Sequence, residues 1–112
     1  MDYSIQRGRT IILRSGKKVR QINIESIIYV SYDSFVISIF LQNQKRPETL
    51  VATLKEMEYQ LTEFYFVRIN RNQLVNLKYF RSISSGARNI NLVNNISLDV
   101  SRRRMIELKR IL

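Results

Sequence analysis

The 112-residue sequence contains no cysteine and no histidine, and it has only three glycines. Without cysteine there can be no disulfide, no thiolate metal site and no cysteine nucleophile. The absence of histidine removes the commonest general base and most zinc chemistry. Gly8, Gly16 and Gly86 stand singly in turn contexts, so they do not form a glycine-rich phosphate loop. These absences predict a protein that is not an enzyme and that holds no metal or cofactor.

Acidic residues are also scarce. Nine Asp and Glu stand against nineteen Lys and Arg, which leaves a net charge of +10. Most of this charge lies in residues 64–112, where ten basic and two acidic residues occur. Apolar residues run through the same region in periodic order, so it is not a disordered basic tail. The surplus indicates a polyanionic partner, with nucleic acid as the first candidate and an anionic membrane surface as the second.

Long apolar runs are missing as well. The longest candidate, residues 35–41, is interrupted by Ser38 and is far shorter than the ~20 residues that a membrane helix needs. Residues 1–4 lack the charge and apolar pattern of a signal peptide. We therefore expect a cytoplasmic protein without a membrane partner. A chain of this length fits a single domain, and its 45% of apolar residues can fill a core.

Short β-branched and apolar runs, separated by turn residues, predict about nine strands. Turns are expected at residues 33–34, 85–86 and 94–95, and a short connection at residues 74–77. Apolar residues occupy both faces of the run 35–41, which is typical of a strand covered on two sides. The predicted strands are residues 10–14, 18–23, 27–32, 35–41, 49–51, 66–69, 79–84, 88–92 and 96–100.

Two helices are predicted, each from a capping residue and an apolar stripe. Thr53 and Glu56 form a capping box at the start of the first helix, and Ser101 caps a second helix that extends to Leu112. The expected stripes are Leu54, Met57 and Leu61 in the first helix and Met105, Leu108 and Leu112 in the second. With the nine strands, these helices predict a mainly β fold of the α+β class.

The first candidate binding segment is Arg68–Asn72. On a strand, Arg68 and Asn70 share a face, and Arg71 and Asn72 then continue into a loop. Arginine can bind guanine edges or phosphates through two parallel hydrogen bonds, and asparagine can bridge an adenine edge. Two interpretations of Arg68 stay open, because a strand-face arginine can equally pair with an acidic residue, and asparagines can simply build a turn.

The second candidate segment is the start of the last helix, where Arg102, Arg103 and Arg104 follow Ser101. Three arginines in a first turn are unfavourable for the helix dipole, which prefers negative charge there. Without compensating acids, they indicate an external anion such as phosphate. The alternative is a solubilising face. A third basic group on the N-terminal hairpin is more typical of a solvated surface; it comprises Arg7, Arg9, Arg14, Lys17, Lys18 and Arg20.

Residues 28–30, 54–61, 66–77 and 98–103 together resemble the LytTR DNA-binding domain of bacterial response regulators. The likeness follows residues 11–112 in the family's order. It implies one domain over residues 1–112, with residues 1–9 as a candidate linker remnant. It also implies an elongated fold of small antiparallel sheets, whose loops enter successive major grooves of duplex DNA.

By position, the resemblance places DNA contacts at residues 32–35, 71–72 and 102–103. We expect Arg71 and Arg102 to read base edges, and other residues to set the register on phosphates. The full set of expected DNA-binding residues is Tyr32, Ser34, Arg68, Arg71, Asn72, Arg102, Arg103 and Arg104.

The resemblance further implies a bacterial transcription regulator of a two-component system that binds direct repeats in promoters, with a dimer on DNA as a further expectation. Family members usually carry a receiver domain, so this chain is either part of a longer regulator with a receiver in cis or a regulator that acts alone. Two other functions stay open. One is an RNA-binding module, and the other is a non-catalytic adaptor for an acidic partner.

Overall fold

The computed structural model describes residues 1–84 and 86–112 and consists mainly of short antiparallel strands. Its two helices are α1 (Leu54–Gln60) and α2 (Arg102–Ile111). Single 3-10 turns occur at Ile24–Ser26, Leu77–Tyr79 and Val93–Asn95. The strands of the described residues are β1 (Tyr3–Arg7), β2 (Thr10–Ser15), β3 (Lys18–Asn23), β4 (Ile27–Asp33), β5 (Val36–Leu41), β6 (Glu48–Val51), β7 (Phe66–Asn70), β8 (Gln73–Asn76), β9 (Phe80–Ser84), β10 (Asn89–Leu92) and β11 (Ser97–Asp99).

A five-stranded sheet of order β6-β5-β4-β8-β7 lies at the centre of the molecule. Two three-stranded sheets accompany it, of order β1-β2-β3 and β11-β10-β9. All pairings are antiparallel. The molecule measures 45 × 25 × 25 Å. The predicted mainly β, α+β class and the elongated arrangement of small antiparallel sheets are thus confirmed.

The central sheet is covered on both faces, because neighbouring residues of its inner strands enter two different cores. Leu74 and Val30 belong to a core shared with β2, β3 and α1, whereas Val75 and Ile28 belong to a core shared with β10 and α2. All four side chains are at most 2% exposed. Two-sided burial explains why these strands are apolar on both faces, as the pattern of β5 had indicated.

Two carboxylates fasten the first three-stranded sheet to the edge strand β6. Glu48, which is 9% exposed, pairs with Arg20 at 3.1 Å. Asp2 accepts hydrogen bonds from the backbone N–H of Val51 at 2.7 Å and of Gly16 at 3.2 Å. The bond from Val51 is the main cause that lowers the pKa of Asp2 below its ordinary value. Arg20, part of the N-terminal basic group, therefore has a structural partner.

The predicted connection at residues 74–77 is wrong, because β8 occupies Gln73–Asn76 and lies between β4 and β7. Its polar ends concealed it, since asparagine and glutamine are not typical of a strand. Asn76 is nevertheless 4% exposed. Its amide donates to the carbonyl of Ile27 at 2.9 Å and accepts from the backbone N–H of Lys78 at 3.0 Å. A satisfied side chain of this kind can end a buried strand.

The described residues form eleven strands rather than nine, and the second addition is β1. It lies within residues 1–9, the candidate linker remnant, and pairs with β2 from Tyr3 opposite Arg14 to Arg7 opposite Thr10. Gln60 of α1 further binds its outer edge, where the side-chain carbonyl accepts from the backbone N–H of Gln6 at 2.7 Å. Burial alternates regularly along β1, but the partly buried residues are the polar Ser4 and Gln6, whereas Tyr3 and Ile5 are exposed, so no apolar inner face marks the strand in the sequence.

Two turns show how the local sequence sets the chain direction. The turn predicted at residues 33–34 lies one residue later, because Asp33 still pairs with Val36 and the turn consists of Ser34 and Phe35. The turn at residues 94–95 is confirmed, since Asn94 and Asn95 both have positive φ, 61° and 59°. The predicted turn at residues 85–86 includes Ser85, which lies outside the described residues.

Both helix starts are confirmed. The Thr53 hydroxyl accepts from the backbone N–H of Glu56 at 3.1 Å, and the Ser101 hydroxyl accepts from that of Arg104 at 3.3 Å. The predicted stripe of α1 is buried, and so are Met105 and Leu108 in α2. Leu112 departs from the prediction and is 49% exposed, because α2 ends at Ile111, just before it.

Candidate nucleic-acid interface

Several chain segments meet at one end of the central sheet. The Ser34–Phe35 turn follows β4, the Arg71–Asn72 turn follows β7, and β6 ends beside the first of these turns. The backbone N–H of Tyr32 donates to the carbonyl of Asn72 at 2.8 Å, so the Arg71–Asn72 turn is bonded to the end of β4 that leads into the other turn. Adjacent strands are spaced about 4.8 Å apart, so this end of the sheet is about 19 Å wide.

The start of α2 extends the same surface past β7. The backbone N–H of Ser101 donates to the carbonyl of Ile69 at 2.9 Å, which fixes the first turn of the helix against the end of β7. An open groove of about 770 Å³ lies between these segments. It is lined by Ser31, Tyr32, Asp33, Asn70, Arg71, Asn72, Gln73, Ala87, Arg88, Ser97, Leu98, Asp99, Val100 and Ser101.

Asn70 sets the shape of the Arg71–Asn72 turn. Its side-chain carbonyl accepts from the backbone N–H of Asn72 at 2.8 Å. Its amide donates to the carbonyl of Asp99 at 2.8 Å and to the side chain of Gln73 at 2.9 Å. The asparagine therefore ties the turn to the segment that leads into α2, and its polar atoms are engaged within the chain rather than directed at a base edge.

The Arg68 side chain also stabilises this turn through hydrogen bonds to its backbone. Its guanidinium donates to the carbonyl of Arg71 at 2.7 Å and to that of Asn70 at 3.3 Å. It also pairs with Glu58 of α1 at 3.3 Å, and its side chain is 23% exposed. Of the two interpretations left open by the sequence, the structure thus shows the pair with an acidic residue. The expected phosphate contact of Arg68 stays a prediction.

Arg71 and Asn72 are exposed at the tip of the braced turn. No hydrogen bond or ion pair between described residues occupies the Arg71 guanidinium, whereas its backbone carbonyl is held by Arg68. A rigid backbone with an unengaged cation at its tip is suited to a planar, bidentate hydrogen-bond partner. Both residues therefore lie where the sequence placed a ligand contact.

The three arginines of α2 separate into two groups. Arg102 and Arg103 are exposed and form no ion pair with another described residue. Arg104 is less exposed and pairs with Glu107 at 3.4 Å. The first turn contains no acidic residue, so its positive end and the two exposed guanidinium groups point to one anionic ligand. The expected phosphate contact of Arg104 stays a prediction.

Tyr32 lines the other side of the groove, and Ser34 follows in the adjoining turn. Tyr32 is partly buried and its side chain packs against the first core, so this residue has a structural role. Ser34 is exposed, and its hydroxyl donates to the Asp33 carboxylate at 3.1 Å. Asp33 places a negative charge beside this turn, which disfavours a phosphate there.

Sequence reasoning missed Arg88. It was assigned to a strand, but β10 begins at Asn89, and Arg88 lies in the preceding turn with a φ of 51°. It is exposed, lines the groove, and its carbonyl accepts from the backbone N–H of Val100 at 2.8 Å. The position of an arginine shortly after Gly86 in a hairpin is the signal that could have found it.

Two further questions for the described part of the chain are metal ligation and membrane insertion. Across residues 1–84 and 86–112, no three acidic side chains gather into a potential metal site. None of the helices described for this chain combines the length and the apolar character required to cross a bilayer.

Comparisons with known proteins identify the fold and the family. The fold is similar to a domain described as the LytTr DNA-binding domain of a methyl-accepting/DNA response regulator from Bacillus cereus, with a TM-score of 0.78 and 16% identity. The match covers 94% of this chain and 97% of that one. A search among curated proteins finds no match. The family model of the LytTr DNA-binding domain matches residues 17–112, so the chain belongs to the LytTr family of DNA-binding domains.

Proposed function

We propose that this domain binds double-stranded DNA sequence-specifically, as the output domain of a bacterial transcription regulator, with its sheet-end turns in the major grooves of promoter repeats. The observation that carries the proposal is the surface at one end of the central sheet. There a turn fixed by Arg68 and Asn70 presents Arg71, and a capped helix start presents Arg102 and Arg103.

The dimensions of the molecule support a partner as long as duplex DNA. Its 45 Å axis corresponds to about 13 base pairs at the ~3.4 Å rise of one strand. The long axis is therefore a little longer than one turn of B-DNA, which is about 10.5 base pairs.

We assign base contacts to Arg71 and Arg102, because both are exposed and neither pairs with a described acidic residue. We assign phosphate contacts to Asn72 and Arg88, which line the groove, and to Arg103, which is exposed in the first turn of α2. Arg68 and Arg104 already have partners in the chain, at Glu58 and Glu107, so their main role is to hold the interface in place. A phosphate contact by either is compatible with that role, since both keep some exposure.

The cellular setting is proposed from the family and from the structural relative. That relative is described as a response regulator. A two-component system, a receiver domain in cis, a cytoplasmic location and paired domains on direct repeats are consistent with such a setting. Arg71 and Arg102 would then meet the same base edges in each repeat.

Selection of bound sequences from a random duplex library tests the proposal. One motif should be enriched, and Arg71→Ala should flatten the preference at one or two positions of it. Arg110→Ala serves as a control of equal charge, because Arg110 is exposed in the last turn of α2, away from the groove. On the selected site, five to eight phosphate contacts would give a slope of log affinity against log salt of roughly −4 to −7.

The same experiment separates the alternatives. A slope shallower than about −2 would remove DNA as the main partner. Stronger competition by single-stranded RNA than by duplex DNA would favour an RNA-binding module. Weak binding without any enriched sequence would favour an adaptor for an acidic partner.

A further inference from the structure

Phe35 is the most unusual residue on the proposed interface. It forms the tip of the turn between β4 and β5 and is 72% exposed. Its ring belongs to neither core, although nearly all other phenylalanines of the described chain pack against one. Within the turn, its backbone carbonyl accepts from the N–H of Ala52 at 3.3 Å. The fold therefore uses the backbone of Phe35 and leaves the aromatic side chain in water.

The backbone at this position does not favour phenylalanine. Ser34 and Phe35 have φ values of 50° and 71°. Two consecutive positive φ angles are the sign of a type I′ hairpin turn, for which Asn-Gly and Asp-Gly are preferred. A bulky residue with positive φ is an outlier, and such outliers cluster at functional sites. A glycine would fit better, so stability does not explain the phenylalanine.

The neighbourhood indicates what the ring can contact. Asp33 and Ser34 form a hydrogen-bonded pair beside it, and the carboxylate disfavours a phosphate at this turn. The ring itself offers only apolar surface. In the major groove, the apolar group of a base edge is the 5-methyl group of thymine, and phenylalanine is one of the side chains that contact it.

We propose that Phe35 recognises the 5-methyl group of a thymine in the major groove and so contributes sequence specificity. This inference rests on the proposed DNA binding. The hydrogen bond from Tyr32 to Asn72 fixes the Arg71–Asn72 turn to the end of β4, and two strand spacings separate that turn from the Phe35 turn by about 10 Å. The thymine should therefore lie about three base pairs from the position that Arg71 contacts.

Deoxyuridine provides a direct test, because it lacks the 5-methyl group and keeps the hydrogen-bonding edge of thymine. Each thymine of the selected site is replaced singly, and binding is measured by fluorescence anisotropy. At one position, removal of the methyl group should weaken binding by the wild type about fourfold. Phe35→Ala should bind the thymine site more weakly and should not distinguish thymine from deoxyuridine at that position.

Two results would overturn the inference. One is a wild type that is insensitive to deoxyuridine at every position, as expected if the ring instead wedges between base pairs. The other is Phe35→Ala with an unchanged response to deoxyuridine. If the wild type enriches no sequence at all, the proposed DNA binding itself fails, and that outcome is distinct from both.

Stability provides an independent readout. Phe35→Gly should raise the midpoint of thermal unfolding, since glycine adopts the left-handed backbone without strain, while affinity for the selected site falls. A lower midpoint would show that the ring is structural and would contradict the inference. Tyr65→Ala is the matched control, because Tyr65 is 80% exposed and precedes β7, at the opposite end of the sheet. It should leave the response to deoxyuridine unchanged.

Discussion

The Arg71–Asn72 turn and the start of α2 both present exposed arginines, but the chain holds them by different means. Three hydrogen bonds of the Arg68 and Asn70 side chains end on the backbone of the turn. The first turn of α2 has one side-chain cap, the hydroxyl of Ser101, and depends on the buried side chains of Met105 and Leu108 for its position. A network of side-chain hydrogen bonds thus fixes one arginine, whereas apolar packing and one backbone hydrogen bond, from Ser101 to Ile69, fix the others.

This difference has a functional consequence. A hydrogen-bonded turn permits little adjustment, which suits a contact to one base edge. A helix seated on two apolar side chains can keep its position while Arg102 and Arg103, with their long side chains, adapt to a phosphate or base nearby. We therefore expect mutations in the two regions to differ in whether they affect stability, binding or both.

The largest expected loss of stability comes from removing the apolar packing that holds α2 in place. Leu108 is 1% exposed in the second core. Leu108→Ala should lower the free energy of unfolding by about 2–5 kcal/mol, through lost burial and a cavity. Chemical denaturation measures the loss. Ile106→Ala is the control on the same helix, because Ile106 is 55% exposed; equal losses in the two variants would show that α2 does not depend on packing at Leu108.

The next largest effect should follow from removing the side-chain hydrogen bonds that hold the Arg71–Asn72 turn. Asn70→Ala removes three hydrogen bonds and leaves the N–H of Asn72 and the carbonyl of Asp99 without that partner. We expect a loss of about 1–3 kcal/mol in the free energy of unfolding, together with weaker DNA binding although Arg71 is intact. Asn72→Ala, which keeps the backbone bond, should affect stability much less. A stable Asn70→Ala variant with normal binding would mean that the network does not position Arg71.

Substitutions of the α2 arginines should change stability less than the two preceding variants do. They should still weaken DNA binding, and Arg102 and Arg104 should differ in how that loss depends on sequence. Arg102→Ala should weaken binding by about 1–3 kcal/mol and relax the preference at one or two base pairs, with little change in the unfolding midpoint. Arg104 pairs with Glu107, so Arg104→Ala should weaken all DNA sequences about equally. Library selection with both variants measures this. Equal, sequence-independent losses would show that Arg102 does not contact bases.

Local patterns were sufficient to predict the features that depend on neighbouring residues. The caps at Thr53 and Ser101 are hydrogen bonds within four residues, and the turn at residues 94–95 is set by its own asparagines. The strand β8 was missed, because its burial between β4 and β7 depends on residues more than forty positions away in the chain, such as Ile27, which binds Asn76. Long-range pairing of this kind leaves no local signal.

In the candidate site, too, local sequence predicted single residues but not the long-range contacts between them. Arg71 and Arg102 were expected from their position in the sequence; the structure places Arg71 in the groove and Arg102 next to Ser101, which lines it. The sequence allowed a pair between Arg68 and an acidic residue but did not identify Glu58 as that residue, because α1 and β7 meet only in the folded chain. Arg88 was missed for a similar reason, since its hairpin is held at the groove by contacts that form in the folded chain, among them the bond to Val100.

The smallest expected effect concerns Asp2, which holds the β2–β3 turn and β6 together beside the Phe35 turn. Hydrogen bonds from the N–H groups of Val51 and Gly16 lower the pKa of this carboxyl in the folded state below its ordinary value of 3.8. A lowered pKa adds stability above the pKa of the unfolded chain, and this stability is lost as the pH falls through the folded value.

The midpoint of thermal unfolding should therefore be higher for the wild type than for Asp2→Asn at pH 7. The two midpoints should converge toward pH 2. A constant difference over that range would show that the charge of Asp2 does not stabilise this edge. Convergence together with unchanged DNA affinity at neutral pH would show that the Asp2 carboxylate stabilises the N-terminal sheet independently of the turn network and the α2 core.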